Sequence, residues 1–90
     1  MQVKPIGVGS VVRSRAGRDA GDLFLVVGIL DQEYVLLANG ELRKAEKPKK
    51  KKLKHLSATG RKIEQAEEAA RQGSLTNAQI RSWLSNEEEL

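Results

Sequence analysis

The fold is organised around residues 17–21, GRDAG, which separate the apolar pair Val11-Val12 from the longer apolar run over residues 23–30. Glycine adopts left-handed backbone conformations and lets another backbone approach closely. Two glycines four residues apart therefore predict a tight, exposed connection between two strands. Arg18 lies in this loop and two more arginines shortly precede it. Cations on an exposed loop favour contact with a polyanion, although a hairpin loop with solvated charges explains this stretch equally well.

The run after the loop, LFLVVGIL over residues 23–30, is apolar on both faces. A strand of this kind is central in its sheet. We therefore expect the curl of the sheet to cover one face and the C-terminal helices to cover the other. Gly28, in the middle of the strand, predicts a bulge or a bend. Residues 11–15 mix β-branched and charged residues, which predicts a first strand with one cationic side.

Two further strands are predicted downstream of this central strand. Residues 33–38 are mostly apolar, and the Asn39-Gly40 pair that follows is a strong signal for a two-residue hairpin turn. That turn predicts a fourth, more polar strand over residues 41–45. Four short strands with such tight connections indicate a mainly β fold, a small antiparallel barrel.

The next segment is strongly basic, because residues 43–54 hold eight Lys and Arg residues against one carboxylate, Glu46. Like charges in a row repel each other and seldom become ordered without a counter-charge. We expect these lysines to point outward into solvent. Leu53 and Leu56 should dock on the barrel through a 3₁₀ turn or an irregular last strand.

The composition changes near residue 58. Residues 1–58, which include the basic segment 43–55, are predicted to form the barrel, and residues 59–90 are predicted to form a tail of two short helices. The charge divides at nearly the same place, since residues 1–56 hold twelve of the 16 Lys and Arg residues and six of the 12 Asp and Glu residues. A basic barrel joined to an acidic tail, with an overall pI near 9.6, points first to nucleic acid as a partner.

The tail has the signals of two helices. Residues 60–72 are rich in helix formers, and Gly73 is a natural stop. Thr76 and Gln79 have the spacing of a capping box, which predicts the start of the second helix. Three apolar side chains then fall on one face of that helix: Ile80, Trp83 and Leu84.

The composition argues against several classes of function. The chain has no cysteine, which excludes disulfides and thiolate sites. Its one histidine, His55, has no base or nucleophile beside it, and no His, Asp and Glu residues have the spacing of metal ligands. No apolar run is long enough to span a bilayer. We therefore expect a cytoplasmic monomer that is not an enzyme and has no cofactor, metal site, small-molecule substrate or membrane contact.

The cationic residues remain as the candidate site. Lysines neutralise phosphates without reading bases, whereas arginines make forked phosphate contacts and stack on exposed bases. Three aromatic residues are too few for a platform that stacks single strands, so we expect recognition of a structured RNA by its shape and backbone. The plainer alternative for the lysine run is a disordered polycation. The candidate RNA-binding side chains are Arg13, Arg15, Arg18, Arg43, Lys44, Lys47, Lys49, Lys50, Lys51, Lys52, Lys54 and His55.

Residues 9–21, GSVVRSRAGRDAG, resemble the KOW motif. In that family a hydrophobic strand runs into a loop of glycine, a basic residue, aspartate, one further residue and a characteristic glycine. Residues 30–40, followed by Arg43-Lys44 and residues 52–56, extend the resemblance to the KOW-bearing large-subunit ribosomal proteins of archaea and eukaryotes and to their small bacterial relatives. The resemblance covers about residues 7–58, and the two-helix tail fits the bacterial relatives.

This resemblance implies an SH3-like barrel whose KOW loop touches RNA, usually ribosomal RNA. By position, it adds two glycines to the RNA-binding set: Gly21 at the characteristic glycine, and Gly17 as a point of backbone approach. Ala20 departs from the pattern, because many members carry lysine there. A phosphate contact of the loop is therefore in doubt, and the lysine run would compensate for it.

Two functions are consistent with the sequence. The first is a non-catalytic RNA-binding module that associates with the large ribosomal subunit and contacts ribosomal RNA through the KOW loop and the lysine-rich segment. The alternative is a protein–protein interaction module, as in transcription or translation factor KOW domains, in which Ile80, Trp83 and Leu84 dock on a partner. The position of Trp83 distinguishes these two functions, because a buried ring would have a structural role and an exposed ring would anchor an interface with a partner.

Overall fold

The computed structural model describes residues 6–88, so residues 1–5 of the predicted barrel and 89–90 of the predicted tail lie outside the described residues. The strands pair in the order β4-β3-β2-β1-β5, and every pair is antiparallel. The predicted mainly β fold with two C-terminal helices is confirmed, and its sheet is consistent with a small barrel. The elements are β1 (Ser10–Ser14), β2 (Leu23–Ile29), β3 (Tyr34–Ala38), β4 (Lys49–Lys52), a 3₁₀ turn (Leu53–His55), β5 (Leu56–Lys62), α1 (Glu64–Gln72) and α2 (Asn77–Glu88).

Strand β2 is the centre of the core, as its two apolar faces predict. Phe24 and Val26 pack inside the sheet with residues of β1, β3 and β5. Leu23 and Leu25 point to the opposite face, where the two helices cover them. A shift in the pairing with β3 falls between Val26 and Gly28, which confirms the predicted bulge. The end of the run differs from the prediction, because the last two side chains, Ile29 and Leu30, are each 49% exposed.

The second helix contributes its apolar face to this same core. Ile80 is completely buried, Leu84 is 7% exposed, and the partly buried Trp83 packs at the edge of the cluster. These contacts hold the helical tail on the outer face of the sheet. The alternative reading of this face as a docking surface for a partner is therefore wrong for Ile80 and Leu84, because the chain's own sheet already covers them.

The predicted helix signals are confirmed, apart from one boundary. The backbone N–H of Gln79 donates to Thr76 Oγ1 at 3.2 Å, and the N–H of Thr76 donates to Gln79 Oε1 at 3.0 Å, which is a capping box. Gly73 ends α1 with a left-handed backbone (φ +73°). The first helix begins at Glu64 and not at residue 60, because Gly60 (φ +87°) belongs to β5.

The predicted fourth strand over residues 41–45 is wrong. The Asn39 side chain accepts hydrogen bonds from the backbone N–H of Glu41 and Arg43, which closes a wider turn in place of a two-residue hairpin. The chain then packs on the start of α2, where Arg81 Nη1 donates to the carbonyl of Gly40 at 2.7 Å. The partner of β3 is instead the lysine run, Lys49–Lys52.

Candidate nucleic-acid interface

The loop between β1 and β2, residues 15–22, is held in a fixed shape by backbone hydrogen bonds. The N–H of Gly21 donates to the carbonyl of Ser14 at 2.8 Å, and the N–H of Ser14 donates to the carbonyl of Asp22 at 2.9 Å. Gly21 has a φ of +92° and open space where a side chain would begin. The N–H of Arg15 donates to the carbonyl of His55 at 2.8 Å, so the loop is also tied to the 3₁₀ turn.

Asp19 connects this loop to β4. Its carboxylate accepts hydrogen bonds from Ser14 Oγ at 2.7 Å, from Lys49 Nζ at 2.7 Å and from Lys51 Nζ at 3.0 Å. Lys51 Nζ also donates to the carbonyl of Ala16 at 2.9 Å. We call Asp19, Ser14, Lys49 and Lys51 the Asp19 cluster. Its contacts fasten the middle of the loop to a strand about thirty residues further along the chain.

The charge state of Asp19 follows from these contacts. Burial by itself would raise the pKa of this carboxyl group. The hydrogen bonds from Lys49, Ser14 and Lys51 outweigh burial and hold the pKa of Asp19 well below its ordinary value. The carboxylate is therefore ionised at neutral pH and forms charge-assisted pairs with both lysines.

Strand alternation divides the lysine run into two faces. Lys49 and Lys51 turn toward the loop and Asp19, and Lys51 is buried. Lys50 and Lys52 lie on the other face, with their Nζ atoms 4.4 Å and 5.7 Å from the centre of the Tyr34 ring. The prediction that the lysines point outward is therefore wrong for Lys49 and Lys51, because Asp19 supplies a counter-charge that local sequence patterning does not reveal.

The remaining candidate residues differ in what their side chains contact. Arg13 is exposed, but its Nη1 donates to the carbonyl of Gly21 within the loop. His55 is half-buried, and Gly17 is exposed beside the Asp19 cluster. Six exposed cations have no side-chain hydrogen bond, ion pair or ring contact within residues 6–88: Arg15, Arg18, Arg43, Lys44, Lys47 and Lys54.

The structure places these six cations on two parts of the surface. Arg15 and Arg18 lie on the β1–β2 loop, and Lys54 lies in the 3₁₀ turn to which that loop is bonded through His55. Arg43 and Lys44 lie on the segment that packs against α2, where the N–H of Ala45 donates to Asn77 Oδ1 at 2.8 Å. The loop and the 3₁₀ turn thus bring together one group of candidate residues, and the segment before β4 carries another.

Sequence reasoning missed two members of the site, Asp19 and Tyr34. Asp19 belongs to the loop motif, but its pairing with Lys49 and Lys51 follows only if residues 49–52 form a strand beside the loop. The signal for that pairing was the spacing of the two lysines, since residues two apart lie on one face of a strand. Tyr34 lies opposite Lys52 in the pairing of β3 with β4, and the local sequence does not reveal that pairing.

Other kinds of site find no support in the described part of the chain. Within it, no three His, Cys, Asp or Glu residues are grouped closely enough to hold a metal ion. None of its helices has the length and apolar character needed to cross a membrane. The fold and the loop therefore define a small β domain with a helical cover and a basic, exposed connection at one end.

The chain is similar to an archaeal ribosomal protein. It is 34% identical over 62 residues to large ribosomal subunit protein eL14 of Pyrobaculum arsenaticum (strain DSM 13514 / JCM 11321 / PZ6), and 36% identical over 62 residues to eL14 of Pyrobaculum calidifontis (strain DSM 21063 / JCM 11548 / VA1). Each match covers 69% of this chain and 60% of the relative, so the chain spans less than two thirds of the relatives' length. No protein-family model matches the chain. The similarity supports a ribosomal-protein-like chain, and the KOW motif itself stays a prediction.

Proposed function

We propose that this chain is a non-catalytic, ribosomal-protein-like module that binds structured RNA through phosphate contacts. The observation that carries the proposal is the β1–β2 loop, which is fixed by backbone hydrogen bonds and yet exposes the guanidinium groups of Arg15 and Arg18, neither of which has a side-chain partner within residues 6–88. A loop with a fixed backbone suits a rigid polyanion, because only the arginine side chains remain to be ordered on binding. The similarity to eL14 makes ribosomal RNA the RNA of choice for a first test.

The surrounding charge supports the same partner. Lys54 adds a cation in the neighbouring 3₁₀ turn, and Lys50 and Lys52 add two on the outer face of β4. The open space above Gly21 would let an RNA backbone approach the loop closely. We infer from these features a contact made by backbone and shape. The similarity to eL14 supports the further proposal that this contact lies on the large ribosomal subunit, in the cytoplasm. We propose in addition that the free chain is a monomer.

The test is a salt series of binding to purified large-subunit ribosomal RNA, with an unrelated structured RNA of equal length for comparison. The variant Arg15→Gln/Arg18→Gln removes two loop cations. The control Lys62→Gln/Arg71→Gln removes the same charge from the β5–α1 side, where both side chains form exposed ion pairs with helix carboxylates.

We expect the loop variant to bind ribosomal RNA more weakly than the control does. Each lost phosphate contact lowers the slope of log affinity against log salt by about 0.7–0.9, so the loop variant should lose about 1.5 in slope. Equal losses in both variants would show that only net charge matters. Absence of binding by the unmodified chain at low salt would refute the proposed function.

A further inference from the structure

The Asp19 cluster places a carboxylate in the loop that is proposed to face RNA. Two lysines and one serine converge on this group, and the exposed fractions of its side chain and of Lys51 are only 13% and 9%. A carboxylate at this place repels phosphate, and it also occupies the charges of Lys49 and Lys51. By charge alone, Asp19 works against RNA binding.

Stability alone gives weak grounds for such an arrangement. Partly buried ion pairs lose hydration that their attraction only partly recovers, and apolar side chains of similar size often serve stability as well. Ion pairs do fix one geometry among alternatives, because each partner strongly disfavours any arrangement that leaves the other buried and unpaired. Here the geometry that is fixed is the seat of the β1–β2 loop on β4, through Asp19 and the Ala16 carbonyl.

We propose that Asp19 is a positioning residue for RNA binding: it fastens the loop to β4 so that Arg15 and Arg18 are held in the arrangement that contacts phosphates. Lys49 and Lys51 then serve the loop and do not themselves contact RNA. The contacts are made by Arg15, Arg18 and the other exposed cations that have no side-chain hydrogen bond, ion pair or ring contact within residues 6–88. This inference rests on the proposed function and specifies which cations of the same site touch the RNA.

A positioning role and net charge predict opposite effects of an Asp19 substitution on RNA affinity. The substitution Asp19→Asn removes one negative charge and releases two lysines, so net charge alone predicts tighter RNA binding and a steeper salt dependence. Positioning predicts the reverse, namely weaker binding and a shallower salt dependence, because Arg15 and Arg18 are no longer held in place. The opposite signs separate a positioning role from a generic effect of charge.

The matched control is Asp22→Asn, which makes the same charge change at the other end of the same loop. Asp22 is exposed and takes part in the loop through its backbone, and its side chain forms no ion pair or hydrogen bond within residues 6–88. Ser14→Ala is a second, milder variant, because it removes the hydroxyl that contacts Asp19 Oδ1 at 2.7 Å and the Ala16 carbonyl at 3.0 Å, and it leaves the net charge and the two lysine pairs of Asp19 unchanged.

The experiment measures binding of the full chain to large-subunit ribosomal RNA by fluorescence anisotropy across a salt series, with circular dichroism to verify folding. We expect Asp19→Asn to bind about tenfold more weakly than the unmodified chain, the loss expected for one charge-assisted contact. Its salt slope should fall by about 0.7–0.9, the change expected for one lost phosphate contact. Asp22→Asn should bind as tightly as the unmodified chain or slightly more tightly, and Ser14→Ala should lie between the two aspartate variants.

The outcomes separate this inference from the proposed function. If the unmodified chain does not bind, the proposed function fails, and the positioning role that rests on it fails with it. If the unmodified chain binds and Asp19→Asn binds as tightly as Asp22→Asn or more tightly, the positioning role is overturned. Should Asp19→Asn fail to fold, Ser14→Ala decides, since an unchanged affinity and salt slope in that folded variant would also overturn the proposal.

Discussion

Replacement of Gly40 by alanine tests how the segment after β3 is packed. Gly40 has a φ of +79°, and an added Cβ would lie 2.6 Å from the carbonyl oxygen of Asn77 and 2.9 Å from Cγ of Arg81. The left-handed backbone costs alanine about 1–2 kcal/mol. The contact with a helix carbonyl cannot be relieved by a rotamer change, and overpacking of this kind costs about 1–3 kcal/mol. We therefore expect Gly40→Ala to lower the free energy of unfolding by about 2–5 kcal/mol.

Gly60→Ala is the matched control. Gly60 has a similar φ of +87°, but nothing lies within 4 Å of the position that its Cβ would take. This variant should therefore lose only the backbone term of about 1–2 kcal/mol. Urea unfolding followed by far-ultraviolet circular dichroism gives both free energies, and thermal unfolding should show a loss of about 4–8 °C for each kcal/mol in a domain of this size.

The comparison also discriminates between the two structures that residues 39–45 could adopt. In a two-residue hairpin, Gly40 would lie at an exposed turn, and alanine would cost no more there than at Gly60. In the structure described here, Gly40 lies against α2 and alanine costs more. Equal losses of stability in the two variants, with equal dependence on urea, would refute the packing of this segment on the helix.

Two further predictions concern Asp19 and the start of α2. The pKa of Asp19 is lower in the folded chain than its ordinary value of 3.8, so the stability that Asp19 contributes is present above that pH and is lost as the pH falls through the folded pKa. The difference in unfolding free energy between the unmodified chain and Asp19→Asn should therefore shrink between pH 7 and pH 2.5. A constant difference would contradict the ion pairing. Thr76→Ala removes the hydroxyl that accepts from the Gln79 N–H and should lower the unfolding free energy by about 0.5–2 kcal/mol in urea, whereas Ser74→Ala, which precedes the helix, should have a smaller effect.

The parts of the fold that the sequence predicts are those in which local pattern and tertiary contact agree. The run at residues 23–30 is apolar on both faces, and its first half, residues 23–26, is buried on both faces. The capping box of Thr76 and Gln79 is formed entirely within four residues. The bulge at Gly28 likewise follows from a residue type placed within a strand. Such features need no information from distant parts of the chain.

The position of the fourth strand could not be predicted from the sequence, because contacts distant in sequence override two local signals. Asn39-Gly40 favours a hairpin, but Asn39 uses its side chain to close a longer turn and Gly40 packs against α2. Four consecutive lysines have little tendency to form a strand, because their charges repel each other. Asp19 offsets that repulsion on one face, and the ring of Tyr34 offsets it on the other.

This arrangement links the edge of the sheet to the candidate RNA-binding loop. Strand β4 is an edge strand, and lysines protect such an edge from pairing with another chain. Two of its lysines pair with Asp19 of the loop, so a change that breaks these pairs removes contacts from both the strand and the loop. A basic edge that was merely solvated would tolerate neutral substitutions at Lys49 and Lys51 as readily as at Lys50 and Lys52. Lys49 and Lys51 pair with Asp19, whereas Lys50 and Lys52 approach the Tyr34 ring, which argues that the chain uses one face of the strand to build the loop and leaves the cations of the other face without a carboxylate partner among the described residues.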